Sequence, residues 1–417
     1  MTASRRTLLV VNLHFAPNSF GGATIVAENM ADQLGRHHPW RVIVVTAHQG
    51  LGARPYSMLR YTTGKVEVFS IAVPDEGALN YTDRYLNSNF ALAFESIISR
   101  LHIDVAHIHS IQNMGIGIIS ALYERGIPIA TTVHDCWWFC ERMFMIDVRG
   151  RYCHQRKIDM DVCRYCVISV NDAIQRNSAL FSALCKSKLL LFPSRFHREM
   201  YVDNGFPEEK CIVNKNGTRM PGPDYENKRT KRRREGEKDS VVFGFVGGPG
   251  DIKGAPLIKR AFSELPYSNY ELHIVDGARN RGLSWAKSFN WRLPGKIKLI
   301  PPYNRDTMDD FFASIDVLLF PSQWKESFGL TVREAIARGV WVIATDAGGV
   351  AEDCVEGMNA DIIPLDGDHI TLKRCIEAIL EKGVVPPVRM KAVVSETQQA
   401  EELNTLLEKL LAEASVS

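Results

Sequence analysis

What most constrains this chain is an alternation of apolar runs and helix-spaced segments that occurs twice. Leu8 to Leu13, Val42 to Thr46, Val105 to His109, Ile127 to Val133 and Leu189 to Phe192 are short, continuous apolar runs. Ala23 to Leu34 and Gly115 to Arg125 fall between them and have helical spacing. The second half repeats the scheme with different residues. Val241 to Val246, Glu271 to Val275, Lys296 to Ile300, Val317 to Phe320 and Trp341 to Thr345 read as strands. Gly254 to Leu265, Met308 to Ser314 and Val332 to Arg338 read as helices. Strands that alternate with helices form right-handed crossovers and a parallel sheet buried on both faces. The expected class is α/β, with two doubly wound domains. At 417 residues the chain accommodates two such halves, and 45% hydrophobic residues can fill both cores.

The expected boundaries follow from composition. Residues 1–219 form an N-terminal domain, 240–395 a C-terminal one, and 396–417 a closing amphipathic helix with Leu403, Leu406, Leu407, Leu410 and Leu411 on one stripe. Residues 220–239 read as a basic linker, since Lys228 to Lys238 holds seven basic and two acidic residues. That run suits a solvated connection, or a patch for anionic lipid headgroups. Nucleic acid is not expected as a partner, because no aromatic interleaving accompanies the run and the net charge is only +2. No apolar run reaches the roughly 20 residues of a membrane span. Thr7 to Leu13 contains Asn12 and reads as a strand, not a secretory leader. Nine cysteines without a leader make a disulfide framework unexpected and the cytoplasm the default compartment.

In open parallel sheets, ligands sit beyond the carboxyl ends of the strands, so the loops there carry the chemistry. Asn18-Ser19-Phe20-Gly21-Gly22-Ala23 opens a helix with two glycines, which lets backbone N–H groups approach an anion. A tight strand-to-helix turn would look the same. It lacks the G-x-G-x-x-G of a dinucleotide site. Gly247-Gly248-Pro249-Gly250-Asp251-Ile252-Lys253-Gly254 is a second glycine-rich turn, with Lys253 placed to meet a phosphate, though without P-loop spacing. The third is Pro321-Ser322-Gln323-Trp324-Lys325-Glu326-Ser327-Phe328-Gly329-Leu330, followed by a helix that contains Glu334. Ser327, Phe328, Gly329 and Leu330 offer amides at a helix start, suited to a diphosphate. Glu326 and Glu334 flank that cradle and can accept hydrogen bonds from sugar hydroxyls. The plain alternative is one helix-start acid and one exposed helix acid.

Glu326 to Leu330 with Glu334, then Ala335-Ile336-Ala337-Arg338-Gly339 and Val342-Ile343-Ala344-Thr345, resembles the E-x7-E signature of the family 4 retaining glycosyltransferases of bacterial polysaccharide and glycolipid assembly. Gly21-Gly22, His134-Asp135, Pro193-Ser194-Arg195-Phe196, Asn216-Gly217 and Lys253-Gly254 extend the resemblance over most of the chain. It implies the GT-B fold, two Rossmann-like domains facing a cleft. It also implies transfer of a hexosyl group from a nucleotide-diphosphate sugar to a glycan or lipid-linked saccharide, with retention and without a catalytic metal. By position, Glu326 resembles the acid that holds donor-sugar hydroxyls, and Glu334 the acid on the ribose. Lys253 and the 327–330 amides resemble the diphosphate site, Gly22 the glycine that closes on the donor phosphate, and His134 the histidine near the transferred sugar. The family's usual arginine, five residues before the lysine, is here Gly248, which leaves neutralisation to Lys253, to helix dipoles, or to a residue such as Arg195 or Arg279. An acceptor on a lipid carrier would bring the protein to the inner membrane face as a peripheral partner. The alternatives are a sugar-nucleotide epimerase or hydrolase on this fold, or an inactive nucleotide-sugar-binding scaffold.

Five of the nine cysteines fall between 136 and 166. Cys163 and Cys166 form a CxxC, and Cys140 and Cys153 complete a candidate four-thiolate zinc site of structural type, with Cys136 and His154 as substitutes. Zinc would staple a charged, weakly periodic segment. Buried thiols, a disulfide and an iron–sulfur cluster are the other readings.

Overall fold

The computed structural model describes residues 5–19, 21–49, 52–235, 240–279, 282–391 and 393–414. The chain divides into two compact units. Unit 1 holds the residues up to Met145, then His154–Gly217, then those from Val394 onward; unit 2 holds Ile146–Cys153 and Thr218–Val393.

Unit 1 contributes strands β1 (Arg6–Asn12), β2 (Trp40–His48), β3 (Met58–Thr63), β4 (Val66–Ala72), β5 (Val105–Ile108), β6 (Ile129–Thr132), β7 (Leu189–Phe192) and β8 (Cys211–Val213). They form one eight-stranded sheet in the order β3-β4-β2-β1-β5-β6-β7-β8. Every neighbouring pair is parallel except β3 with β4. β1 is buried from Thr7 to Asn12, as a central parallel strand covered on both faces must be. The chain winds outward to both sides of β1, so the loops after β1 and β5 flank a topological switch point.

Unit 2 contributes β9 (Val241–Val246), β10 (Tyr270–Val275), β11 (Lys296–Ile300), β12 (Val317–Phe320), β13 (Trp341–Thr345) and β14 (Ala360–Ile363). All neighbours are parallel, in the order β11-β10-β9-β12-β13-β14. Counted from β9, this is the 3-2-1-4-5-6 order of the doubly wound nucleotide-binding sheet, with its switch point between β9 and β12. Phe243, Phe245, Phe262, Tyr270, Leu319 and Trp341 lie in the core between the sheet and its covering helices.

The basic run expected as a linker is instead the helix Tyr225–Glu235 of unit 2. Tyr225 is buried, Lys228 pairs with Asp310 at 2.6 Å, and Arg229 Nη1 donates to the Arg338 carbonyl at 2.6 Å. Arg232 holds both carboxylate oxygens of Asp316, at 2.6 and 2.9 Å. The helix is polar all round by composition, and acids about eighty residues away fix it in place. Residues 236–239 of the expected linker lie outside the described residues. The closing helix Glu396–Ala414 belongs to unit 1, where it buries Leu403, Leu407 and Leu410. Its Asn404 accepts the Trp40 indole N–H at 2.7 Å, and Glu396 accepts from Asn29 at 2.7 Å. Residues 415–417 are outside the described set.

Candidate active site

The loops after β9 and β12 meet at the switch point of unit 2. After β9 the chain makes one 3-10 turn, Asp251–Lys253, and enters the helix Ala255–Ser263 through Gly254. Gly254 has φ +77°, and a Cβ there would lie 2.1 Å from the Pro321 carbonyl oxygen. Only glycine permits this approach. It lets the Gln323 N–H donate to the Ile252 carbonyl at 2.8 Å, which ties the two loops together. Glu326 is held by its own backbone: its N–H donates to Ala347 O at 3.1 Å, and its carbonyl accepts from Gly349 N at 2.9 Å.

The Glu326 carboxylate is 8% exposed, and its Oε1 receives two donors, Lys253 Nζ at 2.8 Å and Ser322 Oγ at 2.6 Å. The Lys253 ammonium also lies 5.3 Å from the centre of the Trp324 ring. A cation, a buried carboxylate and an aromatic face therefore converge just above the β9/β12 crevice. The helix Leu330–Ala337 begins beside them. Its cap residue Gly329 has φ +87°, and a Cβ there would lie 2.7 Å from Val350 Cγ2. The first N–H groups of such a helix have no intrahelical acceptor, and the dipole favours an anion.

Glu334 is buried in this helix at 8% exposure and hydrogen-bonds the Tyr303 phenol, which also bonds Thr331. Burial, followed by the Glu334 charge, pushes the Tyr303 hydroxyl well above its ordinary value. Tyr303 stacks on Phe311 at 5.0 Å. Three of these supports escape sequence reading: Tyr303, Arg333 and Arg338. Arg333 is buried; its Nε pairs with Asp353 at 2.8 Å, Nη2 donates to Gly349 O at 2.6 Å, and Nη1 donates to Phe328 O. The guanidinium lies 4.1 Å from the Phe328 ring centre. One buried cation thus clamps the 326–329 loop to the 347–350 loop. Arg338 pairs with Asp309 at 2.7 Å and donates to the Glu334 carbonyl at 3.2 Å. In a sequence, both arginines look like solvent-facing helix charges.

In unit 1, Asn12 at the end of β1 accepts from Ser110 N at 3.0 Å and donates to His14 O at 2.7 Å, which fixes the loops after β1 and β5. Gly22 lies exposed in the first turn of the helix Gly21–His37, which follows β1. His134 follows β6, and its Nε2 is 2.9 Å from His109 Nδ1. The rings of His109 and His134 stack at 5.2 Å, and His107 lies 4.1 Å from His109. Burial lowers the His134 pKa to about 4, and those of His107 and His197 to about 3. It also lowers that of His109, with His107 and His134 adding to the effect. His134 is therefore neutral near pH 7 and serves as a hydrogen-bonding group, not a cation. Burial raises Asp135 to about 6, against the opposing pull of the Trp137 N–H, Arg176 and Gln112.

The four-thiolate arrangement expected of Cys140, Cys153, Cys163 and Cys166 is not found. Among the described residues, no group of three or more His, Cys, Asp or Glu side chains could hold a metal ion. Cys163 ends the one-turn helix Met160–Cys163, and its sulfur accepts the Gln155 amide at 3.5 Å. The segment is stapled by other means. Asn204 accepts from Ile158 N at 2.9 Å and donates to Arg156 O at 2.9 Å, while Arg176 Nη2 donates to Trp137 O at 2.7 Å. Trp137, Trp138 and Phe139 are buried beneath it.

Two family descriptions divide the chain between them. Glycosyltransferase Family 4 matches residues 20–219, and Glycosyl transferases group 1 matches residues 227–398. The chain belongs to the family 4 glycosyltransferases. Its fold is GT-B, shared with sucrose-phosphate synthase from Thermosynechococcus elongatus at TM-score 0.68 and 16% identity over 98% of this chain and 100% of that one. The Anabaena HepE protein, solved with UDP and glucose, aligns at TM-score 0.60 and 15% identity over 98% of both chains. The D-inositol 3-phosphate glycosyltransferase of Rhodococcus opacus is 28% identical over 196 residues, 42% of this chain and 42% of the relative. That of Mycolicibacterium smegmatis is 26% identical over 137 residues, 32% of this chain and 30% of the relative. The chain thus spans less than half the length of the curated relatives it matches. Among the described residues, no helix of this family member is long and apolar enough to cross a membrane.

Proposed function

We propose that the protein is a retaining glycosyltransferase that moves a hexosyl group from a nucleoside-diphosphate sugar to a glycan or lipid-linked saccharide. The observation that carries this reading is the Lys253–Glu326 pair at the β9/β12 switch point, beside the amides of 327–330 and the Tyr303-held Glu334. Lys253 and the helix-start amides neutralise the diphosphate as it departs, a preorganised electrostatic contribution. Once Lys253 turns to phosphate, Glu326 is free to accept hydrogen bonds from the sugar hydroxyls. Glu334 accepts from the ribose. Gly22 closes on the donor phosphate, and neutral His134 hydrogen-bonds the transferred sugar; the family resemblance supports both roles. The bond from the anomeric carbon to the diphosphate breaks, with its electron pair leaving on the phosphate oxygen. The acceptor hydroxyl attacks from the same face and passes its proton to that oxygen. An acceptor on a lipid carrier would place the enzyme at the cytoplasmic face of the membrane as a peripheral protein.

The test is a thermal-shift panel of nucleoside diphosphates and nucleotide sugars, beginning with UDP, since HepE was solved with UDP. A ligand that binds only the native state raises the midpoint. One nucleotide class is expected to do so, and Glu334→Ala to abolish the shift. A full shift in that variant would remove the ribose assignment. Consumption of nucleotide sugar at the same rate with and without acceptor would favour an epimerase or hydrolase instead.

A further inference from the structure

The part of the cysteine-bearing segment that lies in unit 1, left without a metal role, forms one side of an open pocket of about 240 Å³. Its walls include Trp138, Phe139, Ile174, Phe181 and Phe206, and Lys157 is the one charged residue among those lining it. The remaining polar wall is already committed. Asn177 donates to Phe139 O at 2.9 Å and accepts from Arg176 Nη1 at 2.9 Å. Asn204 accepts from Ile158 N and donates to the Arg156 and Met200 carbonyls. These bonds fix the walls and leave apolar surface for an occupant.

Three properties define that occupant. The volume lies below the roughly 300–1,000 Å³ of a whole small-molecule site, so it suits one part of a larger ligand. Ile174 and Phe181, 47% and 37% exposed, leave apolar surface at the mouth for a chain to cover. Lys157, itself exposed, is complementary to an anion attached to that chain. Position supplies the link to chemistry. Trp138 is only four residues beyond His134, so the wall begins within about 14 Å of that histidine along the chain. Phe139 packs on Tyr201 at 4.8 Å, and the Tyr201 hydroxyl donates to the Asp135 carbonyl at 2.6 Å. The pocket wall and the His134-Asp135 corner are therefore one packed unit.

We infer that this pocket is an acceptor subsite that holds the alkyl or aryl part of an anionic amphiphile, with Lys157 meeting its phosphate or carboxylate. The acceptor role rests on the glycosyl-transfer reading above; the binding chemistry does not. The experiment is calorimetric titration of the full chain with decyl phosphate below its micelle concentration, with decanol and glycerol phosphate as partial ligands. One saturable site for decyl phosphate is expected, with glycerol phosphate not bound. Ile174→Trp, which fills the mouth from an exposed position, should weaken decyl phosphate at least tenfold. Lys157→Glu should do the same for decyl phosphate but leave decanol unchanged. The UDP-induced thermal shift should survive both substitutions, which also shows that the variants fold. Absence of saturable binding, or wild-type binding in Ile174→Trp, overturns the subsite even if the nucleotide shift holds. Sedimentation with phosphatidylglycerol vesicles, lost in Ile174→Trp but without saturable decyl phosphate binding, would overturn it in favour of a membrane contact. Decyl phosphate binding in a protein that no nucleotide stabilises would overturn the acceptor role together with the function.

Discussion

Acidification should loosen unit 1 around β5 and β6, by an amount that follows from its buried histidines. His107, His134 and His197 have native pKa values pushed down by burial to about 3, 4 and 3. An unfolded histidine titrates near 6.5. As pH falls through that value, the unfolded chain takes up protons that the native fold refuses, so stability present above 6.5 is lost below it. Between pH 7 and pH 5.5, each of the three contributes a loss on the order of 1 kcal/mol. His109 is shifted in the same direction and adds to this. Asp135 opposes it. Its native pKa is raised to about 6, so it binds a proton in the fold before the unfolded chain does, which returns on the order of 1 kcal/mol. The net loss is about 2–3 kcal/mol, a large part of the roughly 5–15 kcal/mol that holds a domain together. The assay is hydrogen exchange read by mass spectrometry on peptides covering 105–134, corrected for intrinsic rates. The opening constant should rise roughly 30- to 150-fold between pH 7 and pH 5.5. His197→Phe should remove about one third of that pH dependence, whatever it does to absolute stability. Protection unchanged within threefold over this range would refute the neutral, buried state of these rings.

Two further substitutions probe unit 2. Lys253→Met removes the donor that Glu326 accepts at 2.8 Å and, with it, the cation proposed to face the diphosphate. kcat/KM for transfer should fall by about 10² or more, and UDP should shift the midpoint less; activity within threefold of wild type would contradict the assignment. Tyr303→Phe keeps the stack on Phe311 and deletes the hydroxyl bonded to Glu334. Donor KM should rise about three- to tenfold with kcat nearly unchanged. A matched loss in kcat would place Tyr303 in the chemical step instead.

The two halves were legible because parallel strands covered on both faces must be continuous apolar runs. Val317–Phe320 and Leu189–Phe192 are buried along their whole length. β3 gave no such signal. It is an antiparallel edge strand whose residues are all exposed or half-buried, so neither apolar continuity nor alternation marks it. The helix Tyr225–Glu235 was read as a linker because its stabilising partners, Asp310, Asp316 and the Arg338 carbonyl, are remote in the chain. The four cysteines suggest zinc ligands by their spacing and by the weakly periodic, charged segment between them. Spacing cannot show that hydrogen bonds from Asn204 and Arg176, with buried aromatic rings, already hold that segment. In the candidate site, Lys253, Glu326 and Glu334 stand out because they follow the carboxyl ends of β9 and β12, where ligands sit in such sheets, and because the two acids match the E-x7-E spacing. Arg333 does not, because a buried arginine and an exposed one have the same letter, and its acceptors are mostly main-chain carbonyls.

Gly248, where the family resemblance leads one to expect an arginine, is the sharpest departure, and the backbone gives it a physical form. Its φ is +81°, a left-handed conformation, yet a Cβ there would meet nothing within 4 Å. Space is therefore available, but an L residue pays a backbone cost of about 1–2 kcal/mol. Had the chain simply exchanged a side chain on a conventional loop, arginine would fit without strain. A loop rebuilt around glycine would, on the proposed function, leave the diphosphate to Lys253 and the helix-start amides. Gly248→Ala and Gly248→Arg should accordingly lose similar stability, and Gly248→Arg should bind UDP no more than about threefold tighter than Gly248→Ala. If the loop instead retains the geometry of an arginine-bearing site, Gly248→Arg should bind UDP tenfold or more tighter than Gly248→Ala, with no loss of stability. That result would mean Lys253 and the amides do not suffice, and would return the missing cation to the centre of the mechanism.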